Sequence, residues 1–513
     1  MTERTRRGIV VAGVMLTIFL AAMESTVVAT AMPTIVASLG GLRIYAWVFT
    51  TFLLTSTVTM PAWGRFSDLF GRRRTYVVGL VLFLGGSALC GLSQSMAQLV
   101  AFRALQGLGA GSLITLGMIV VGDLYELERR ARMQGYFSSV WGVASLLGPL
   151  LGGFLADHVS WRWVFYINLP FGLLAGIAIS WGLAGSSRVS RRVSIDYKGA
   201  ALFTSAISAL LLGLMEAGRA GAWLRSPVLG LLALAGGLAA AFVVVERRAR
   251  APFVPLHLFQ SPVVRAAAAT GLLAGMAMFG AISYIPLYVQ VVLGATATQA
   301  GVVLIPFVLG WVVLSVLSAR AVLRVGYRPV VMTGMVCLAV AFVLMVEWDQ
   351  TLSRTTAGRD VLLAGSGMGL IMVPMLIAVQ SAVPRADLGA ATSMTQLCRA
   401  IGGAVGIAAM GAVMAYRFQA ELAVLASQMT GPLQGEMQEL ARHPDLVVNP
   451  LTRVALNPAL VAQLRLALAR ALHEVFVLGL IVSLAALGSA FLVPAGRARD
   501  LALSREPAPT SRS

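Results

Sequence analysis

The chain has 513 residues, 58% of them hydrophobic and 12% charged, where soluble chains carry about 25% charged residues. Its formal charge of +18 comes without any basic stretch interleaved with aromatics on a soluble domain, so it points to membrane topology and anionic lipid rather than nucleic acid. Cys90, Cys337 and Cys398 all fall in apolar segments and the four histidines are scattered, which excludes a disulfide framework and a metal-ligand pattern.

Apolar runs of about 20 residues, the length a helix needs to cross a bilayer, recur along the whole chain. They predict spans near 9–31, 46–64, 75–93, 98–121, 134–157, 161–183, 199–217, 227–245, 266–290, 300–319, 330–348, 361–380, 390–415 and 473–494. The charged start "MTERTRRG" is not read as a signal peptide, because the run behind it is long, contains Glu24 and is followed by many more spans. With a cytoplasmic N-terminus, about 26 of the 39 Lys and Arg residues fall inside and about 11 outside. That alternation supports an even number of spans, with both termini cytoplasmic.

The first run holds a charge out of place. Glu24 sits in "TIFLAAMESTVVAT" with no basic residue near it in sequence. The fourth run holds another, Arg103 in "RALQGLGAG", with Gln106 one helical turn on. Both lie roughly 8–10 Å below the outer boundary at 1.5 Å per residue. Opposite charges at one depth suit either a fixed ion pair or a shared water-filled cavity.

Between the second and third runs, "GRFSDLFGRRR" offers Gly64 and Gly71 for a tight cytoplasmic turn, with Asp68 and the arginines Arg72, Arg73 and Arg74 around it. The arginines read as topology anchors. In the fifth run, "GVASLLGPLLGG" places Gly142, Gly148, Gly152 and Gly153 in a small-xxx-small pattern around Pro149, which suits close helix packing and a bend.

The chain also repeats weakly. Pro33 has a counterpart in Pro286, Gly71 in Gly326 and Arg73 in Arg328, at offsets of about 253 and 255 residues, as in transporters built from two parallel halves. The expected fold is an all-α integral membrane protein with 14 transmembrane helices, two pseudo-symmetric six-helix bundles plus two inserted helices. Expected boundaries are 1–185 for the first bundle, 186–262 for the inserted pair, 263–495 for the second bundle with an outer loop at about 417–472, and 496–513 for a disordered cytoplasmic tail.

The only lysine is Lys198, so no P-loop is present and ATP is not expected as a ligand. No cofactor is expected either. Adaptable, aromatic walls for a substrate cavity are sought among the 22 methionines and in Gln106, Tyr284, Tyr288, Gln290, Gln396 and Arg399.

These motifs resemble those of the major facilitator superfamily. "GRFSDLFGRRR" resembles its loop signature, "RALQGLGAG" its fourth-span motif and "GVASLLGPLLGG" the fifth-span motif of its antiporters. "MESTVVATAMP" and "SWRWVFYINLPFG" are similar to segments of the fourteen-span drug–proton antiporters, although that branch usually carries Asp where this chain has Glu24. The resemblance implies multidrug efflux by proton exchange, with Glu24 and Arg103 coupling the proton and Asp68 acting as a conformational latch. It implies lipophilic or cationic drugs, protons and membrane lipids as partners, a monomer, and the inner or sole membrane of a bacterium. The same fold also suits export of a lipid or secreted metabolite. A membrane-embedded enzyme would need a nucleophile–base or metal constellation, and a sensor a soluble signalling domain; the sequence offers neither.

Overall fold

The computed structural model describes residues 3–124, 127–183, 196–220, 225–249, 252, 256–383, 388–428 and 457–493. Among the described residues there is no strand. The helices are α1 (Glu3–Leu39), α2 (Tyr45–Phe70), α3 (Arg72–Leu92), α4 (Met96–Leu124), α5 (Leu127–His158), the single turn α6 (Trp163–Tyr166), α7 (Asn168–Gly182), α8 (Tyr197–Ala220) and α9 (Ser226–Arg248). They continue with α10 (Pro262–Leu287), α11 (Ala297–Val325), α12 (Tyr327–Val346), α13 (Arg354–Ala382), α14 (Leu388–Gln428) and α15 (Pro458–Ala490).

Helix covers each of the fourteen predicted runs, but by length and composition only 11 described helical stretches are apolar enough to cross a membrane. The helices left out are α2, α5 and α8. Of these, α8 holds a shorter apolar stretch, Lys198–Leu214.

The stretch 417–472, expected as a loop, is helical at both ends. α14 runs on to Gln428 and α15 starts at Pro458, a residue whose fixed φ suits a first helical position. Arg470 of α15 and Glu421 of α14 form an ion pair at 3.0 Å across these extensions. Residues 429–456 and the tail 496–513 lie outside the described residues.

Tight turns fall at the repeated glycines. Gly71 separates α2 from α3 with φ 87°, and Gly326 separates α11 from α12 with φ 91°. A side chain strains that backbone conformation, so both turns call for glycine. Pro33 and Pro286 each lie inside a helix, α1 and α10.

The chain divides into two compact units. The first comprises Met1–Phe253, Ile282–Val302 and Ile407–Leu472; the second comprises Val254–Ala281, Val303–Gly406 and His473–Ser513. In the first, α8 and α9 pair as a hairpin, with the rings of Phe203 and Phe242 5.5 Å apart. The glycines of α5 are spent on two neighbours. A Cβ at Gly148 would run into Thr26 and stand 3.3 Å from the Met23 carbonyl of α1, and one at Gly152 would stand 3.0 Å from the Val27 carbonyl carbon. A Cβ at Gly153 would stand 2.5 Å from Thr298 Cα of α11, while one at Gly301 would stand 2.8 Å from the Pro149 carbonyl carbon. Beyond them, the Asp157 carboxylate accepts the backbone N–H groups of Ala297 (3.1 Å) and Thr298 (2.7 Å), capping the first turn of α11.

Gly148→Leu is therefore expected to force α1 and α5 apart, costing about 1–3 kcal/mol. Thermal unfolding of the purified protein checks this, with Gly85→Leu as the control, since nothing lies within 4 Å of a Cβ there. Equal melting points for the two variants would show that α1 and α5 do not meet at Gly148.

Candidate functional site: a buried ion pair at the meeting of six helices

Arg103 and Gln106 are one turn apart on α4 and so share a face. The glycines that follow let neighbours approach. A Cβ at Gly107 would stand 2.6 Å from the Phe52 carbonyl oxygen of α2, and one at Gly109 would stand 2.6 Å from the Gly79 carbonyl oxygen of α3. Close packing on both sides excludes water from the Arg103 face, which is fully buried.

Glu24 of α1 is buried opposite it, and the Arg103 guanidinium donates through Nη1 to Glu24 Oε1. The other carboxylate oxygen accepts from Asn168 Nδ2 at 2.7 Å. Arg103 also donates to Gln106 Oε1 (2.8 Å) and, through Nε, to the Val48 carbonyl (3.1 Å). Its guanidinium stacks 4.0 Å above the centre of the Phe52 ring, a cation–π contact that strengthens once water is gone.

Ser87 of α3 ties the ring together. Its hydroxyl accepts from Gln106 Nε2 (3.2 Å) and Asn168 Nδ2 (2.8 Å), and donates to the Phe165 carbonyl (2.9 Å). Cys90, a turn below Ser87, contacts Gln106 Oε1 at 3.8 Å. Residues of α1, α2, α3, α4, α6 and α7 thus meet at one carboxylate. One atom is left over: Asn168 Oδ1 is buried with no hydrogen-bond partner.

Glu24, Arg103 and Gln106 are the predicted residues that the structure joins directly. Asn168, Ser87 and Phe52 were not anticipated, although an amide inside the apolar "YINLPFG" was a signal. Tyr284 is buried in the first unit, where its hydroxyl donates to the Ile407 carbonyl (3.0 Å) and its ring lies 5.6 Å from that of Tyr45. Tyr288 and Gln290 are buried in a π-helical turn, Tyr288–Val292, and Gln290 Nε2 donates to the Thr30 carbonyl (2.9 Å). Gln396 and Arg399 belong to the second unit, both half-buried on α14.

Gly64, expected at the turn, lies instead inside α2, six residues before its end, and packs loosely, with its nearest neighbour Ile119 Cδ1 3.8 Å from a Cβ built there; Gly71 alone of the two makes the turn. Arg72 donates to Ser67 Oγ at 2.5 Å, while Arg73 is exposed. Asp68 lies in the last turn of α2, and its side chain is outside the described residues.

The Major Facilitator Superfamily model matches residues 14–407. The chain belongs to that superfamily. The multidrug transporter protein MdtP of Bacillus subtilis (strain 168) is 36% identical over 512 residues, covering 96% of this chain and 94% of that protein. Multidrug resistance protein 3 of the same strain is 32% identical over 491 residues, covering 96% and 95%. Among solved structures, an inward-facing, unoccupied bacterial homologue of the human lysosomal transporter Spinster superposes with a TM-score of 0.65 at 15% identity, covering 96% of this chain and 98% of that one. That likeness is one of fold alone. The chain is accordingly a multi-pass membrane protein of a superfamily of transporters, not of enzymes.

In this superfamily member, Arg103→Gln leaves Glu24 as a buried charge without its counter-ion. Removing one partner of such a pair costs about 3–5 kcal/mol. Adding Glu24→Gln should return much of that loss, because the pair then becomes two neutral amides. Thermal unfolding of the single and double variants checks this; a double variant no more stable than Arg103→Gln would show that the two side chains are not energetically coupled.

Proposed function

We propose that this protein is a proton-coupled antiporter that exports lipophilic, often cationic drugs across a bacterial cell (inner) membrane by alternating access. In this reading it is a monomer of fourteen spans with both termini cytoplasmic. Its bundles are 1–185 and 263–495, and the pair 186–262 is inserted between them. The relatives named for multidrug transport and multidrug resistance, aligned over nearly the whole chain, support the substrate class. The observation that carries the coupling is Glu24, a carboxylate buried in a span and held by a guanidinium and an amide.

A proton arriving at Glu24 removes the anion that Arg103 and Asn168 address. The new O–H needs an acceptor, and the amide oxygen of Asn168, buried without a partner, supplies one once the amide turns. Arg103 keeps Gln106, the Val48 carbonyl and the Phe52 face, so it is not stranded. A cationic drug competes with Arg103 for the same carboxylate, so that proton and drug bind in alternation. Each then biases the conformational equilibrium only by its differential affinity for the two states. Asp68, in a run of basic residues at the turn after α2, serves as the latch between those states.

Glu24→Gln is expected to abolish drug-induced proton release and proton-driven efflux in proteoliposomes, while neutral drug still binds. Glu24→Asp should retain part of both. Undiminished proton-coupled efflux in Glu24→Gln would remove Glu24 from the coupling step. Asp68→Asn should insert and fold normally but turn over slowly; a normal efflux rate would remove the latch.

A further inference from the structure

The second unit holds an arginine treated quite differently from Arg103. Arg399 lies eleven residues into α14, roughly 16 Å from its start, and within the apolar stretch Met394–Gln428. Its backbone is pinned. A Cβ at Gly275 of α10 would stand 3.1 Å from the Arg399 carbonyl carbon and 3.2 Å from its Cγ. Two turns further along, a Cβ at Gly406 would stand 2.5 Å from Met276 Cα, so the two helices are held backbone to backbone around this residue.

The side chain is half-buried, and among the described residues its polar contact is a thioether: Nη1 stands 3.8 Å from Met372 Sδ on α13. The described carboxylates of this unit all lie elsewhere. Asp360 is twelve residues before Met372 on the same helix, roughly 18 Å away. It is committed to Trp348 Nε1 (3.0 Å) and the Arg359 guanidinium (2.8 Å). Glu347 and Asp349 follow α12, and Glu474 is beside His473, which contacts the Val346 carbonyl. They therefore sit with Asp360 at one end of the unit. Gln396, one turn before Arg399, shares its face and brings an amide of either polarity.

A guanidinium inside a span is retained where it meets an anion, a carbonyl set or water. Arg103 meets a carboxylate, an amide oxygen, a carbonyl and a ring; Arg399 meets a methionine. We propose that Arg399, with Gln396 beside it and Met372 as an adaptable apolar wall, is an anion subsite. It would take the carboxylate, sulfonate or phosphate of an amphipathic molecule whose apolar body lies along the span. The inference rests on the export reading for its physiological role, but it widens the substrates to anionic and zwitterionic amphiphiles and leaves Glu24 as the partner of cations.

The test is equilibrium binding of 1-pyrenebutyrate and its neutral methyl ester to the purified full chain in lipid nanodiscs, with empty discs subtracted. The wild type is expected to favour the anion about tenfold or more, as a charge-assisted hydrogen bond gives. Arg399→Gln should erase that preference, and Arg399→Lys should keep part of it. A purely structural role would weaken both probes equally and leave their ratio unchanged. A wild type without the preference, or an Arg399→Gln variant that keeps it, overturns the subsite. Repeating the measurement in zwitterionic and phosphatidylglycerol discs assigns the source. Loss of the preference in the anionic discs makes lipid phosphate the occupant, and its persistence makes it a soluble amphiphile. Proton-driven ethidium uptake into inverted vesicles, measured in parallel, reports separately on the export reading.

Discussion

A buried carboxylate and guanidinium, Glu24 and Arg103, set the terms for the first seven helices. Taking either charge out of water alone costs several kcal/mol, and their attraction repays this only when the remaining lone pairs and protons are also met. Neighbouring helices supply such groups: an amide from α7, a hydroxyl from α3, a carbonyl and a ring from α2, with a second amide from α4 itself. The arrangement is consequently specific. Sliding any one helix by a residue would misalign at least one donor, and an unmet buried polar group costs about 1–3 kcal/mol.

That specificity depends on close packing, which in turn explains the glycines. Apolar side chains gain little by leaving lipid for other side chains, so helices in a bilayer associate through close contact and hydrogen bonds. Gly107 and Gly109 bring α2 and α3 against α4 on either side of the ion pair, and Gly148 and Gly152 bring α5 against α1 just past Glu24. The same α5 turns Gly153 to Thr298 and ends in the Asp157 cap on α11. The helix carrying the antiporter-like motif is thus in contact with the Glu24 helix along one edge and with α11 along another.

The parts of this organisation legible in the sequence were those in which a residue violated its surroundings. Glu24 and Arg103 stood out as charges in apolar runs, and counting residues from the span ends put them at one depth. Gly71 and Gly326 stood out by repetition, and both proved to hold a positive φ. Asn168 and Ser87 did not stand out, because single amides and hydroxyls are common in spans and only their convergence gives them meaning. The helical extensions Arg417–Gln428 and Pro458–Leu472 were misread for the opposite reason. Their exposed faces mix apolar and polar residues, Val424 and Leu466 beside Arg417 and Arg470, and hydropathy alone does not distinguish such a helix from a loop. Tyr284 and Gln290 were sought as cavity walls, yet their polar atoms bond backbone carbonyls.

The two intramembrane arginines mark the difference between a closed site and an open one. Arg103 has enough partners that losing the negative charge of Glu24 leaves it three: an amide oxygen, a carbonyl and an aromatic face. Neutralising that carboxylate thus weakens the network without dismantling it, which the proposed protonation of Glu24 requires, since a network that collapsed on protonation would not re-form each cycle. Asn168, with its idle oxygen, can turn from donor to acceptor within the same cage. Among the described residues Arg399 has no such reserve: a thioether neither matches its charge nor satisfies its fork of donors. A residue that is fully partnered tunes an equilibrium already present, whereas one left short of partners changes state only when something from outside supplies them.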